Sequence, residues 1–174
     1  MTTIWLTRHA ESAAPTVFHG AESNVGLSEL GRQQAAAAAS WFKPHAPTVV
    51  VSSAMTRAKE TAAPIAAVCG VPHHLEPDLH ERRVGELGGT SFSSQSGPWH
   101  DTIHRWMVGD TAYTTPGAES FDELRNRLVP ALERVARLVT STALTLFVVP
   151  ILYTLLIRDK KHPHPHDKHR PETE

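Results

Sequence analysis

An arginine and a histidine stand side by side at Arg8 and His9, directly after the apolar run Ile4–Trp5–Leu6. Two further residues of matching chemistry follow, Arg57 in "SSAMTRAKETA" (52–62) and Glu81 in "LHERRVGELGG" (79–89). Two guanidinium forks beside an imidazole suit a phosphate, because each arginine can donate paired hydrogen bonds to two oxygens. A neutral imidazole can attack phosphorus and carry the phosphoryl group covalently. Phosphoryl transfer asks mainly for positioning and charge stabilisation, which arginines supply without a metal or other cofactor. A carboxylic acid within reach, Glu81, would protonate the leaving oxygen and later activate water. For Arg8 and His9 alone, two solvated side chains at an ordinary strand end are the alternative.

These residues converge only if the chain folds so as to bring three separate segments to one edge. "TIWLT" (3–7) reads as a strand. Ser28 is a plausible cap for a helix of strong helix formers running to Lys43. "PTVVVSS" (47–53) is a short β-branched run and so a second buried strand. Residues 55–70 form a second helix that closes on Gly70, with Pro64 a kink or break within it. "HHLEPDLHE" (73–81) gives a third strand or extended piece, and 85–118 a loop-rich insert carrying Trp99 and Trp106. Phe121, Leu124, Leu128, Leu132 and Val135 then recur at helical spacing along one face of a third helix. Strand–helix alternation predicts an α/β fold with a mostly parallel sheet flanked by helices. In such a sheet the loops after the first three strands open on the same edge, which is where α/β sites sit.

With these segments in place, the chain resembles the histidine phosphatase superfamily, the phosphoglycerate-mutase-like clan. "LTRHAES" (6–12) is similar to its Arg-His-Gly/Ala-Glu signature, and "GLSELGRQQA" (26–35) to the loop-to-helix segment that follows. "SSAMTRAKETA" resembles the second-arginine motif, "LHERRVGELGG" the acid-bearing segment, and "PGAESFDELRNRL" (116–128) the opening of the next long helix. The resemblance runs from about residue 3 to 137. It implies a three-layer sandwich and metal-independent phosphomonoester hydrolysis of a small phosphorylated metabolite. It also implies His9 as the phosphohistidine nucleophile, Arg8 and Arg57 as phosphate clamps, and Glu81 as proton donor.

The same comparison exposes a departure. The family places a second histidine in a Ser-His-Gly motif after a hydrophobic strand, opposite the first. Here "LTLFVV" (144–149) is followed by Pro150, which has neither an imidazole nor a backbone N–H to offer a phosphate. Activity is therefore expected to be impaired, with a phosphate-binding pseudoenzyme as the alternative. Residues 138–157 carry no charge between Arg137 and Arg158, long enough for a membrane span. This end also resembles the last span of heavy-metal efflux pumps of the resistance–nodulation–division class, which would make the chain a membrane-anchored fusion. Four threonines, a serine and Pro150 within the run favour instead an atypical end (139–157) of one domain spanning 1–157.

Residues 158–174 read as a disordered His-rich tail, in which His162, His164 and His166 could bind a transition metal weakly. His19 and His80 could border the pocket, and Trp99 and Trp106 could cover it or pack the insert. Seventeen Lys and Arg against 18 Asp and Glu, scattered along the chain, argue against a nucleic-acid partner. A single cysteine, Cys69, rules out an internal disulfide and suits a reducing compartment. Without a basic region leading into an apolar one at the N-terminus, the expectation is a cytoplasmic protein.

Overall fold

The first helix forms where its cap demands. Ser28 takes an extended backbone, and its hydroxyl accepts from the Gly31 amide at 2.9 Å. Helix α1 runs over Glu29–Phe42, with Ala35, Ala39 and Phe42 buried along one face. Strand β1 (Val50–Ser52) leads into helix α2 (Thr56–Cys69), whose Ala62, Ile65 and Ala66 are buried. Small residues on both helices let α1 and α2 approach closely, and Ala39, Phe42 and Ile65 form the core there, with Val50 and Cys69 beside it. Pro64 does not break α2. Gly70 ends the helix in the left-handed conformation (φ 67°) that glycine adopts without strain. Strand β2 (His73–Leu75) then pairs parallel to β1, Val50 opposite His73 and Ser52 opposite Leu75.

The structure is a computed structural model that describes residues 3–91 and 97–140, with side chains up to 138. Among these residues the α/β arrangement is confirmed, but the sheet has only the two strands β1 and β2. The expected strand at 3–7 joins no ladder, and Trp5 and Leu6 are exposed. Its apolar sequence suits a strand, but a strand exists only through a ladder partner. The proposed strand 144–149, the apolar run 138–157 past residue 140, and the tail with His162, His164 and His166 lie outside the described residues. Among the described residues no helix is long and apolar enough to cross a membrane. Nor do they contain a cluster of three or more potential ligands for a metal ion.

The insert expected to be loop-rich contains helix α3 (Pro98–Met107). Thr102, fully buried, bonds the Pro98 carbonyl, and the Trp106 indole donates to the Tyr113 carbonyl. Helix α4 (Phe121–Thr140) opens on a reciprocal cap. The Glu123 carboxylate accepts from the Ser120 amide at 2.8 Å, while the Ser120 hydroxyl accepts from the Glu123 amide at 3.2 Å. Arg127, Ala131 and Arg134 share one face of α4, with Ala131 fully buried, and both arginines reach the segment 76–80. The helix thus lies against the turn that leads into Glu81.

Candidate active site

The loop carrying His9 is stitched to both helices. The Ala10 amide donates to the Thr61 hydroxyl at 3.0 Å, and that hydroxyl donates to the Arg57 carbonyl at 2.7 Å. On the other side, Ser28 donates to the Glu11 carboxylate at 2.6 Å, and the Glu11 amide donates to Gln34 at 2.9 Å. A side chain at Gly31 would collide with the Glu11 carbonyl, so glycine is what lets the loop lie on α1. One residue, Thr61, therefore ties the His9 loop to the helix that bears Arg57.

His9 is oriented by a single bond. Its Nδ1 lies 2.7 Å from the Ala10 carbonyl oxygen. A carbonyl only accepts, so Nδ1 carries the proton and Nε2 keeps its lone pair. The ring titrates below its ordinary 6.5, chiefly because it is half-buried. The cations Arg57 and Arg8 push the same way, against the Ala10 hydrogen bond and the Glu81 carboxylate. His9 thus stays neutral and nucleophilic at neutral pH.

Arg57 is buried, with 2% of its surface exposed. Its Nη1 donates to the Ser23 carbonyl at 2.8 Å, which aims the fork from α2 towards the loop after His19. Burial lowers its pKa first, with Glu81 opposing and Arg8 adding to the effect. The charges of all four sequence-predicted residues are therefore felt together: Arg8, Arg57 and Glu81 act on His9, and Glu81 and Arg8 act on Arg57. Arg8 and Glu81 are the exposed members. An open cleft of about 420 Å³ is lined by none of the four but by their neighbours in the chain: Met55 ahead of Arg57, His80 and Arg83 near Glu81, together with Glu22 and Asn24.

Of the histidines expected to border the pocket, His80 lines this cleft and its Nδ1 donates to the Glu81 carbonyl. His19 is fully occupied: Nε2 donates to the Ala14 carbonyl (2.9 Å), so Nδ1 accepts from the Ser23 hydroxyl (2.6 Å). It braces the loop whose Ser23 carbonyl receives Arg57. The two tryptophans do not cover His9. They flank the Arg82 guanidinium, whose carbon lies 5.4 Å and 4.8 Å from the Trp99 and Trp106 ring centroids. Arg82 Nη1 is buried without a hydrogen-bond partner, and the ring faces take that place.

Sequence reasoning missed the support behind Glu81. Glu119, 1% exposed, holds Arg127 through two 2.8 Å hydrogen bonds, and Arg127 donates to the carbonyls of Asp78 and His80. Asn24 was also missed: its side chain accepts from the Thr56 amide at 2.8 Å and so caps α2 from a distant loop. The Glu119 carboxyl titrates below the ordinary 4.5. Burial works against this, and the hydrogen bonds from Arg127 and the Arg83 amide overcome it. A depressed folded pKa stabilises the protein above the unfolded value, and that contribution is lost as pH falls through the folded one. Glu119→Gln should destabilise the fold at pH 7 by about 3 kcal/mol, since it leaves Arg127 without its counter-charge. The gap between wild type and variant should narrow as the pH falls through the lowered folded value, measured by denaturant titration. A gap that does not change with pH would mean that the Glu119 carboxyl titrates alike in the folded and unfolded chains.

The sequence pattern of the histidine phosphatase superfamily (branch 1) matches residues 4–149. A metal-independent phosphoserine phosphatase of Arabidopsis thaliana is 37% identical over 143 residues, which cover 79% of this chain and 59% of the relative. A probable phosphoglycerate mutase of Photorhabdus laumondii is 34% identical over 143 residues, covering 79% of this chain and 65% of the relative. Among solved structures, a mycobacterial glucosyl-3-phosphoglycerate phosphatase in complex with VO3 superposes with a TM-score of 0.64 at 28% identity. That match covers 77% of this chain and 63% of the other. The chain spans less than two thirds of the length of each of these three proteins.

Proposed function

The chain belongs to the histidine phosphatase superfamily, and from that membership we propose a phosphomonoesterase that works through phospho-His9. Nε2 of His9 attacks the phosphorus of a small phosphorylated metabolite while Arg8 and Arg57 neutralise the equatorial oxygens. The bond to the leaving oxygen breaks, and Glu81 as a carboxylic acid gives that oxygen its proton. Glu81, now a carboxylate, then takes a proton from water as the water attacks phospho-His9, releasing inorganic phosphate and the free imidazole. No step needs a metal, because the guanidinium groups supply the charge. The observation that carries this reading is the His9 ring itself, with Nδ1 tied to Ala10 and a free lone pair on Nε2 beside two arginines. The names of the relatives support a substrate that is a small phosphorylated metabolite. The family's three-layer sandwich, a cytoplasmic location and a domain closing near residue 157 belong to the same reading.

Turnover is slow in this proposal, because "LTLFVV" is followed by Pro150 and not by the Ser-His-Gly of the family's pattern. A second reading, binding of phosphate without appreciable turnover, rests on the same residue. Arg57 tests the pocket common to both. Its fork does not depend on the missing histidine, so orthovanadate should bind the wild-type protein. Arg57→Ala should weaken that binding by about 2–3 kcal/mol, the scale of a charge-assisted contact. Unchanged affinity by calorimetry would show that Arg57 serves only to hold the Ser23 carbonyl.

A further inference from the structure

Glu81 has little of its own to hold it. Its side chain is exposed, and its carboxylate receives one long hydrogen bond, 3.4 Å from the Arg82 amide. The backbone around it is held on both sides. Upstream, Arg127 Nη1 donates to the carbonyls of Asp78 and His80, the latter at 3.1 Å. Downstream, the Glu119 amide donates to the Arg83 carbonyl at 2.9 Å, and the Arg83 amide donates to Glu119 Oε2 at 3.2 Å. Arg82 Nε reaches the Glu119 carbonyl at 2.7 Å. The two clamps are one unit, because Arg127 and Glu119 face each other fork to carboxylate.

A buried ion pair is a poor device for stability alone, since desolvation offsets most of its attraction. Apart from the two hydrogen bonds that join Arg127 to Glu119, this pair's side-chain hydrogen bonds go to residues 78–83. We propose that the Glu119–Arg127 pair is a positioning device for Glu81, fixing the loop so that the carboxyl meets the leaving oxygen. The pair touches neither phosphate nor His9 and acts only through the backbone that carries Glu81. The proposal rests on Glu81 being the proton donor, as set out above.

Its signature is dependence on the leaving group. Nitrophenolate departs readily without a proton, whereas an alkoxide needs one. Rates of His9 phosphorylation would be compared for p-nitrophenyl phosphate and glycerol phosphate, in wild type, Arg127→Gln, Glu119→Gln and Arg127→Lys. Arg127→Gln should slow the alkyl donor by about tenfold or more beyond any effect on the aryl donor, a fraction of what a general acid supplies. Glu119→Gln should do the same, and Arg127→Lys should recover part of the loss by keeping the charge. Orthovanadate affinity should be unchanged throughout. In a Glu81→Gln background, Arg127→Gln should have no further effect on the alkyl-to-aryl ratio, because there is no proton donor left to misplace. Equal slowing of both donors in either variant, or a ratio that still changes without Glu81, would overturn the proposal. If one variant fails to fold, the other two carry the comparison. Wild-type protein that takes a phosphoryl group from neither donor would overturn the phosphatase reading first, and this inference with it.

Discussion

His9→Ala should abolish phosphoryl uptake, with a loss of at least about a thousandfold, the scale seen when a nucleophile that nothing replaces is removed. The wild-type protein, quenched during reaction with p-nitrophenyl phosphate, should carry an acid-labile, base-stable adduct as expected of a phosphorus–nitrogen bond. The expectation follows from the tautomer: with Nδ1 donating to Ala10, only Nε2 can attack. Two arginine charges lower the ring's basicity, and in the proposed reaction the same charges would stabilise the phosphoryl oxygens as the bond forms. His19 offers no substitute, because both of its nitrogens are engaged. His80 donates from Nδ1 to the Glu81 carbonyl and keeps a lone pair on Nε2, so His80→Ala is the control and should leave the adduct intact. An adduct of the same stability in His9→Ala would refute the assignment.

Replacing the chain from Val139 onward with a hydrophobic strand, a Ser-His-Gly turn and a helix should raise turnover of p-nitrophenyl phosphate about a hundredfold or more. A second histidine would add one charge-assisted donor to the transferring phosphoryl group, where Pro150 adds none. Such a donor acts mainly in the transition state, so the gain should appear in kcat more than in KM. Equal, rapid turnover in both proteins would mean that another group already does the work. His19 is excluded from that part by its two hydrogen bonds. Equal, negligible turnover would place the fault among Arg8, His9, Arg57 and Glu81.

The candidate site left a plainer mark in the sequence than the strands did. Arg8, His9, Arg57 and Glu81 stand out because each sits in a recognisable local motif, and in the structure the charges of Arg8, Arg57 and Glu81 are all felt at His9. Helices α1 and α2 were legible for similar reasons, through the Ser28 cap and the Gly70 stop. The 3–7 strand was misread because apolar, β-branched residues describe a tendency, while a ladder needs a partner that local sequence does not name. Helix α3 was overlooked although Trp99, Ile103 and Trp106 recur at helical spacing behind Pro98, since the Gly and Pro around them dominate the composition. The capping box at Ser120 and Glu123 could have been found by its spacing. The burial of Glu119 and Arg82 could not. Charged residues ordinarily face water, and only the partners brought in by tertiary packing reverse that preference.

The clasp made by α4 also fixes an order of assembly. Helices α1 and α2 and strands β1 and β2 follow one another between residues 29 and 75, so each contact there closes a short stretch of chain. Arg134, by contrast, reaches back 58 residues to Glu76, and Arg127 reaches back 47 residues to His80. Closing such long spans costs chain entropy before any contact repays it, so they form late and open early. The tie from Ala10 to Thr61 joins the His9 loop to the earlier unit. A molecule whose α4 has let go therefore still has the His9 loop tied to the helix that bears Arg57, but no longer fixes the segment that carries Glu81.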